Sequence, residues 1–284
     1  MVALMSERLE VRKTYKLYIG GAFPRSESGR TFDVHDYQGN FIANACLASR
    51  KDLRDAVVAA RAAQPKWASA TAFNRGQILY RIAEMLDGRR DQFAAEISAA
   101  DGVTNAHALK EVDAAIDSWV WYAGWSDKLG SIAGATNPVA GPFYNFTIPE
   151  PMGIVGVLAP EQSSLLGLVE AIAPILVSGN TIIALASSRA PLSAITFAEV
   201  LATSDLPAGV CNILTGKQAE LAPWFASHMD IDGIDASGVG QPELSDIKSA
   251  GAQNLKRIHT FSGMSPQRIL AFMESKTIWH PIGV

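Results

Sequence analysis

Two cysteines and five histidines are the side chains of this 284-residue chain best suited to nucleophilic or metal chemistry. Cys46 and Cys211 lack CxxC spacing, so neither a disulfide framework nor a cysteine zinc site is expected. The histidines show no HxxxH or HExxH spacing for a metal, and the chain contains neither a GxSxG nor a GxxxxGK[ST] motif. Taken alone, these side chains indicate no catalytic centre. The histidines are His35, His107, His228, His259 and His280.

Composition excludes several classes of protein. A hydrophobic content of 48% with 18% charged residues is typical of a globular α/β chain. The net charge of −4 and the short basic pair Lys256-Arg257 offer no electrostatic footprint for nucleic acid. The first residues, MVALMSERLEVRK, carry charges where a signal peptide would have its apolar core, so a cytoplasmic location is expected.

Residues 152–189 form the stretch around which the chain is organised. The apolar run 154–158, the apolar segment 165–177 and the apolar run 181–186 predict strand, helix and strand. Ser178, Gly179 and Asn180 are suited to end the helix. Segment 165–186 is apolar enough to raise a membrane span, but polar and breaking residues interrupt it, and we expect a buried helix and strand instead. A right-handed crossover in a parallel sheet follows.

Other elements alternate in the same way. The long helix 106–129 carries Trp119, Val120 and Tyr122 at helical spacing, which favours core packing over a ligand box. Residues 130–141 are rich in Gly, Ala and Pro and predict a connector, while 142–149 predicts an exposed strand. Strands are predicted at 16–21, 27–34, 231–236 and 255–261, and helices at 49–67, 75–86, 89–100, 191–203 and 220–228. This alternation predicts an α/β, Rossmann-like, doubly wound parallel sheet with N-terminal helices and a protruding β-ribbon.

Several motifs resemble those of the aldehyde dehydrogenase superfamily. The family text APWNFP, AAGNTVVLKPSE and LPpGVvNvvtG is matched by residues 159–164, 178–188 and 206–216. The resemblance implies an aldehyde dehydrogenase-like fold whose remaining cofactor contacts would be Ala159, Pro160, Ser187, Gly216, Ser237 and Gly238.

The same resemblance divides the chain into four parts. Residues 1–141 would be the N-terminal strands and helices of the cofactor-type domain, 142–151 the first strand of an assembly ribbon, and 152–266 the Rossmann-like core. In relatives a catalytic domain follows, whereas here 267–284 resembles the C-terminal tail that completes the ribbon. The chain therefore resembles the non-catalytic second module of the two-module, family-sixteen aldehyde dehydrogenases, with the catalytic domain missing.

The chemical positions depart from the family pattern. Gln162 stands at the oxyanion donor, Leu185 and Ser188 at the charged ribose anchors, and Thr260 at the general base. Cys211 aligns with a core valine, so neither it nor Cys46 is expected to act as a nucleophile, and no catalytic residue or metal ligand is assigned. Pro242 lies inside the turn that would meet a pyrophosphate, and the motif GVG at 238–240 alone is a weak phosphate signal.

The resemblance then implies a pseudoenzyme without a bound cofactor, although NAD(P) binding stays open. We expect a homo-dimer, or a hetero-oligomer with a full-length aldehyde dehydrogenase, formed through residues 143–148 and 272–282, with no nucleic-acid or membrane partner. Two alternatives stay open: an NAD(P)-dependent aldehyde oxidoreductase and a nucleotide-binding regulatory module.

Overall fold

The structure, a computed structural model, describes residues 13–283. The N-terminal residues 1–12, on which the signal-peptide argument rests, and Val284 lie outside the described residues. In chain order the elements are β1 (Thr14–Tyr15), β2 (Thr31–His35), β3 (Phe41–Cys46), α1 (Arg50–Ser69), α2 (Ala72–Asp87), α3 (Arg90–Asp101), α4 (Asn105–Ala123), α5 (Leu129–Ala133), β4 (Ala135–Asn137), β5 (Phe143–Pro151), β6 (Ile154–Leu158), α6 (Leu166–Val177), β7 (Thr181–Leu185), α7 (Leu192–Ala202), β8 (Cys211–Leu214), α8 (Gln218–Ser227), β9 (Gly233–Asp235), α9 (Glu243–Ala252), β10 (Arg257–His259), α10 (Gln267–Leu270) and β11 (Met273–Pro281).

A five-stranded parallel sheet in the order β10-β9-β6-β7-β8 forms the centre of the fold. Successive side chains of its strands enter opposite cores: Val155 and Val157 pack in the core with α2, α3, α4, α6 and α7, whereas Ile154 and Leu158 pack in the core with α1, α8 and α9. Helices thus cover both faces, which is why β6 and β7 are buried along their whole length. The predicted α/β, Rossmann-like architecture is confirmed.

The turn between α6 and β7 follows its sequence signals. Gly179 has φ +91°, a conformation that glycine adopts without a side-chain clash. Buried Asn180 accepts a bond from the Gly153 amide at 2.7 Å and donates to the Phe272 carbonyl at 2.8 Å. One side chain therefore holds the start of β6 and the C-terminal tail to the same turn.

The N-terminal region differs from its prediction at one strand. Residues 16–21 make only isolated bridges, Tyr18 with Ile213 and Ile19 with Ala22, because Gly20 and Gly21 turn the chain with positive φ. The three-stranded sheet there has the order β1-β3-β2, and Cys46 is the last residue of β3. After it, α1 begins with a capping box in which Ser49 and Asp52 bond each other's backbone amides.

The predicted helix 106–129 is two helices. α4 ends at Ala123, residues 124–128 form turns, and α5 then covers five residues. Trp119 and Tyr122 are buried in the core as predicted, whereas Val120 is exposed. The predicted connector 130–141 contains part of α5 and the strand β4, which adds a third strand to the ribbon.

The C-terminal part of the chain returns to residues 143–151. β5 and β11 pair antiparallel along nine residues, from Phe143 with Pro281 to Pro151 with Met273, and the sheet order is β11-β5-β4. We call β5 and β11 together the ribbon. Within residues 13–283, none of the helices combines the length and apolarity needed to cross a bilayer.

Candidate functional site at the carboxyl edge of the sheet

The strand order places a topological switch between β6 and β9. From β6 the chain adds β7 and β8 on one side and then returns to add β9 and β10 on the other. Ligands of such sheets bind in the crevice outside the carboxyl ends of the strands at this switch. All six predicted cofactor contacts lie in the loops at this edge: Ala159 and Pro160 after β6, Ser187 after β7, Gly216 after β8, and Ser237 and Gly238 after β9. Their role in binding a cofactor stays a prediction.

A backbone contact joins the loops after β6 and β9 at Gly238. The Gly238 amide donates to the Leu158 carbonyl at 2.9 Å. A Cβ at this position would lie 2.1 Å from the Ala159 carbonyl oxygen, so only glycine fits. Ala159 is itself buried, while Pro160 packs against Gly167 near the start of α6. The ends of β6 and β9 are thus in direct contact.

The hydroxyl of Ser237 is engaged within the chain. It donates to Asp235 Oδ1 and accepts from the Phe261 amide at 2.9 Å. Asp235 Oδ2 accepts a bond from Arg268 Nη2 at 3.0 Å, and these two side chains are 1% and 3% exposed. Arg268, which belongs to α10, also lies 3.8 Å from a carboxylate oxygen of Glu170. A buried ion pair therefore occupies the space beside Ser237.

A second carboxylate fills the loop after β7. Glu161 Oε2 accepts from the Ser187 hydroxyl and the Ser188 amide, both at 2.9 Å, and from the Arg189 amide at 3.1 Å. Its Oε1 accepts from the Ser188 hydroxyl at 3.0 Å. At the start of α6, Glu111 accepts from the Leu166 amide at 3.3 Å. Donors of Ser187, Ser188, Arg189 and Leu166 at this edge are therefore bonded to the protein's own carboxylates.

The four positions that depart from the family's chemical residues lie at or near this edge. Gln162 and Thr260 are exposed, Leu185 is buried in β7, and Ser188 is bonded to Glu161. Gly216 is buried against Leu221, and it precedes α8.

The two thiols are placed as small buried side chains. Cys211 lies in β8 and is 1% exposed, and burial raises its pKa to about 12, so the thiolate form is absent at neutral pH. Cys46 is also free and buried, at the end of β3. Among the described residues, no group of three or more His, Cys, Asp or Glu side chains could hold a metal ion.

A dinucleotide at this edge would meet donors that are already bonded within the chain. Its pyrophosphate needs free amide or hydroxyl donors and its ribose needs polar anchors. Four donors at this edge already have partners within the chain: the hydroxyls of Ser187, Ser188 and Ser237, and the Gly238 amide. Binding would require breaking the bonds of Glu161, of Ser237, or of both.

Sequence reasoning missed Glu161, Asp235 and Arg268. Each carried a signal: Glu161 puts a charge where the family motif has an aromatic residue, and Asp235 interrupts an apolar strand. A buried acid requires a buried base, and Arg268 supplies it from the tail. The partner could not be chosen from sequence because it lies 33 residues away.

Comparison with known proteins identifies the family. The model of the "Aldehyde dehydrogenase family" matches residues 23–274. The chain belongs to the aldehyde dehydrogenase family. Cytosolic 10-formyltetrahydrofolate dehydrogenase of Mus musculus is 31% identical over 274 residues, which cover 93% of this chain and 30% of that protein. Retinal dehydrogenase 2 of Homo sapiens is 34% identical over 269 residues, covering 93% and 51%.

Solved aldehyde dehydrogenases have the same fold. The NAD+ complex of an aldehyde dehydrogenase from Bacillus cereus matches with a TM-score of 0.81 at 26% identity, covering 87% of this chain and 50% of that chain. PnpE from Pseudomonas sp. WBC-3 matches with a TM-score of 0.81 at 27% identity, covering 89% and 51%. This aldehyde dehydrogenase-like chain thus spans about half, or less, of the length of these relatives.

Proposed function

We propose that this chain is a non-catalytic aldehyde dehydrogenase module that works by assembly, with itself or with a full-length aldehyde dehydrogenase, through the ribbon. The observation that carries the proposal is the ribbon's apolar surface. Phe143, Tyr144, Ile148 and Trp279 are all exposed, and Trp279 is 58% accessible. Its ring packs edge-on against Phe143 with centroids 5.7 Å apart, so the two aromatics form one continuous patch.

A ribbon of this kind is costly to leave in water. Each exposed aromatic side chain retains apolar area whose burial is worth about 25 cal/mol per Å². Edge strands with apolar side chains also pair readily with other chains. A partner that covers the patch therefore buries its apolar area and pairs with its edge strand, and both contributions favour association over a free ribbon.

The carboxyl edge of the sheet supports the non-catalytic part of the proposal. The thiol of Cys211 is buried and its pKa is raised, and Thr260 stands where the family places its general base. Acyl transfer from an aldehyde needs a reachable thiolate and a group that accepts a proton. Neither is provided by these two positions.

Charge substitution at the centre of the patch tests the assembly. Trp279→Asp places a carboxylate in the proposed interface and should weaken association at least tenfold in analytical ultracentrifugation, alone and with an added full-length aldehyde dehydrogenase. Met229→Asp is the matched control, because Met229 is exposed on the loop before β9, outside the ribbon. Wild-type protein that is strictly monomeric and does not bind the full-length enzyme would refute the proposal.

The second candidate is a nucleotide-binding module, favoured by the structural match to an NAD+ complex. Ligand at about 100 times its Kd would stabilise the fold by about 2.7 kcal/mol, which a thermal-shift assay resolves easily. A shift with NAD or NADP but no absorbance change on adding an aldehyde would favour this candidate. A shift together with turnover would establish an oxidoreductase instead.

A further inference from the structure

Backbone groups of β11 alternate between bonding to β5 and facing outward. At one end of the ribbon the Met152 amide donates to the Phe272 carbonyl, and at the other the Ile282 amide donates to the Pro142 carbonyl. In an antiparallel ladder, hydrogen-bonded and non-bonded pairs alternate. The even-numbered residues of β11 therefore bond to β5, and the odd-numbered residues point their N–H and C=O groups away from it.

The outward groups form a short, bounded set. At the N-terminal end, Arg257 Nη1 already donates to the Met273 carbonyl at 2.7 Å. At the C-terminal end, Pro281 has no N–H to offer. Between them lie Ser275, Thr277 and Trp279, which are exposed and symmetric about Thr277. No other strand among residues 13–283 pairs with this edge.

We infer that a second copy of this chain pairs with the edge, antiparallel, with a two-fold axis at Thr277. The inference rests on the proposed function and names its partner. Thr277 would face Thr277 of the second copy, and Ser275 would face Trp279 on both sides of the axis. At two bonds a pair, about six backbone hydrogen bonds form, and two three-stranded sheets become one six-stranded sheet.

Other registers leave donors unused. A shift that pairs Ser275 with Thr277 sets Lys276 against Lys276, and it pairs Trp279 with Met273, whose carbonyl is occupied. An axis at Trp279 would set Thr277 against Pro281. The register centred on Thr277 is the one that pairs the three outward residues with one another.

The identity of the partner follows from this symmetry. A set of donors and acceptors that is bounded at both ends and symmetric about its own centre is matched by the same set turned through 180°. A longer strand of a full-length aldehyde dehydrogenase would place its additional backbone groups opposite the occupied Met273 carbonyl and opposite Pro281, which has no N–H. The bounded, symmetric edge of β11 therefore favours β11 of a second copy of this chain as its partner.

Cysteine cross-linking tests the register in the full chain. Thr277→Cys should form a disulfide-linked dimer under mild oxidation, because facing Cα atoms are about 5.5 Å apart. Ser275→Cys is the matched control: its two copies would lie about 13 Å apart, four residues along the strand, and should not link. A mixture of Ser275→Cys and Trp279→Cys chains should link again. Background is low because Cys46 and Cys211 are buried.

A proline variant tests the same edge without cross-linking. Thr277→Pro removes the outward N–H but no bond to β5, and should weaken self-association at least tenfold in ultracentrifugation. Thr277→Val keeps the N–H and loses the same hydroxyl contact to Thr147, 2.9 Å in the wild type, so it should associate within about threefold of wild type. Circular dichroism confirms that each variant is folded.

The outcomes separate this inference from the proposed function. Self-association that survives Thr277→Pro, or that links through Ser275→Cys but not Thr277→Cys, overturns the edge pairing and leaves assembly standing. A chain that is monomeric alone but binds a full-length aldehyde dehydrogenase overturns the second copy as partner and again leaves assembly standing. A chain that does neither removes both.

Discussion

Replacing Asp235 by Asn is the perturbation whose cost follows most directly from the structure. Both members of the Asp235–Arg268 pair are almost fully buried, and their 3.0 Å bond joins β9 to the C-terminal tail. The substitution removes the negative charge but keeps the size. Arg268 then remains buried with only the carboxylate of Glu170, 3.8 Å away, as an ionic partner.

The expected loss is about 3–5 kcal/mol in the free energy of unfolding, the range for removing one member of a buried pair. The new amide also turns an N–H toward the guanidinium, so donor faces donor. Bonds to Oδ1 from the Ser237 amide and hydroxyl persist, which keeps the local turn in place. For a chain of 284 residues the loss corresponds to a fall in Tm of roughly 5–8 °C.

Thermal and urea unfolding of wild type, Asp235→Asn, Arg268→Met and the double variant measure the effect. The double variant should be less destabilised than the sum of the singles, because neither charge is left alone. Asp55→Asn is the control, since Asp55 pairs with Arg54 on the surface and should lose less than about 1 kcal/mol. A loss below about 1 kcal/mol for Asp235→Asn would refute the assignment of a buried, structurally coupled pair.

Two further predictions concern the sheet edge and the pH dependence of stability. Gly238→Ala should destabilise the fold by more than about 3 kcal/mol, because the new Cβ would meet the Ala159 carbonyl. Gly240→Ala is the control: a Cβ there has nothing within 4 Å, and the free energy of unfolding should change by less than about 0.5 kcal/mol. Equal effects of the two variants in a urea titration would contradict the close contact. Desolvation lowers the pKa of Lys256 to about 8, so the unfolded chain binds this proton more strongly, and the unfolding free energy should rise between pH 8 and 10. Lys256→Met should remove that rise, and an unchanged pH profile would count against the shift.

The sequence predicts the crossover of β6, α6 and β7 well because its signals are local. The apolar runs set the strands, and Ser178 to Asn180 set the turn. The departures occur where local signals compete. Gly20 and Gly21 break an otherwise strand-like run, and the turn at Gly124 divides a helix whose apolar spacing continues beyond it.

Five of the six predicted cofactor contacts could be placed at one edge from sequence because each follows a predicted strand, whereas Gly216 was placed there only by the family resemblance. The side chains that now occupy that edge could not be placed. Glu161 bonds a loop 26 to 28 residues away, and Arg268 reaches Asp235 across 33 residues. Such pairings depend on how elements pack, which local spacing does not encode. The four-part division of the chain and the cytoplasmic location stay predictions.

The same long-range bonds connect the altered edge to the ribbon. Arg268 lies five residues before β11, and Asn180 bonds the Phe272 carbonyl directly before that strand. The ion pair beside Ser237 thus fixes the tail where it enters the ribbon. A dinucleotide that displaced Ser237 from Asp235 would disturb the anchor of β11, whereas an internal carboxylate leaves the strand in a constant position. The hydroxyl of Ser237 and the start of β11 are therefore coupled through one buried network, which would serve the proposed assembly by holding the edge strand in place.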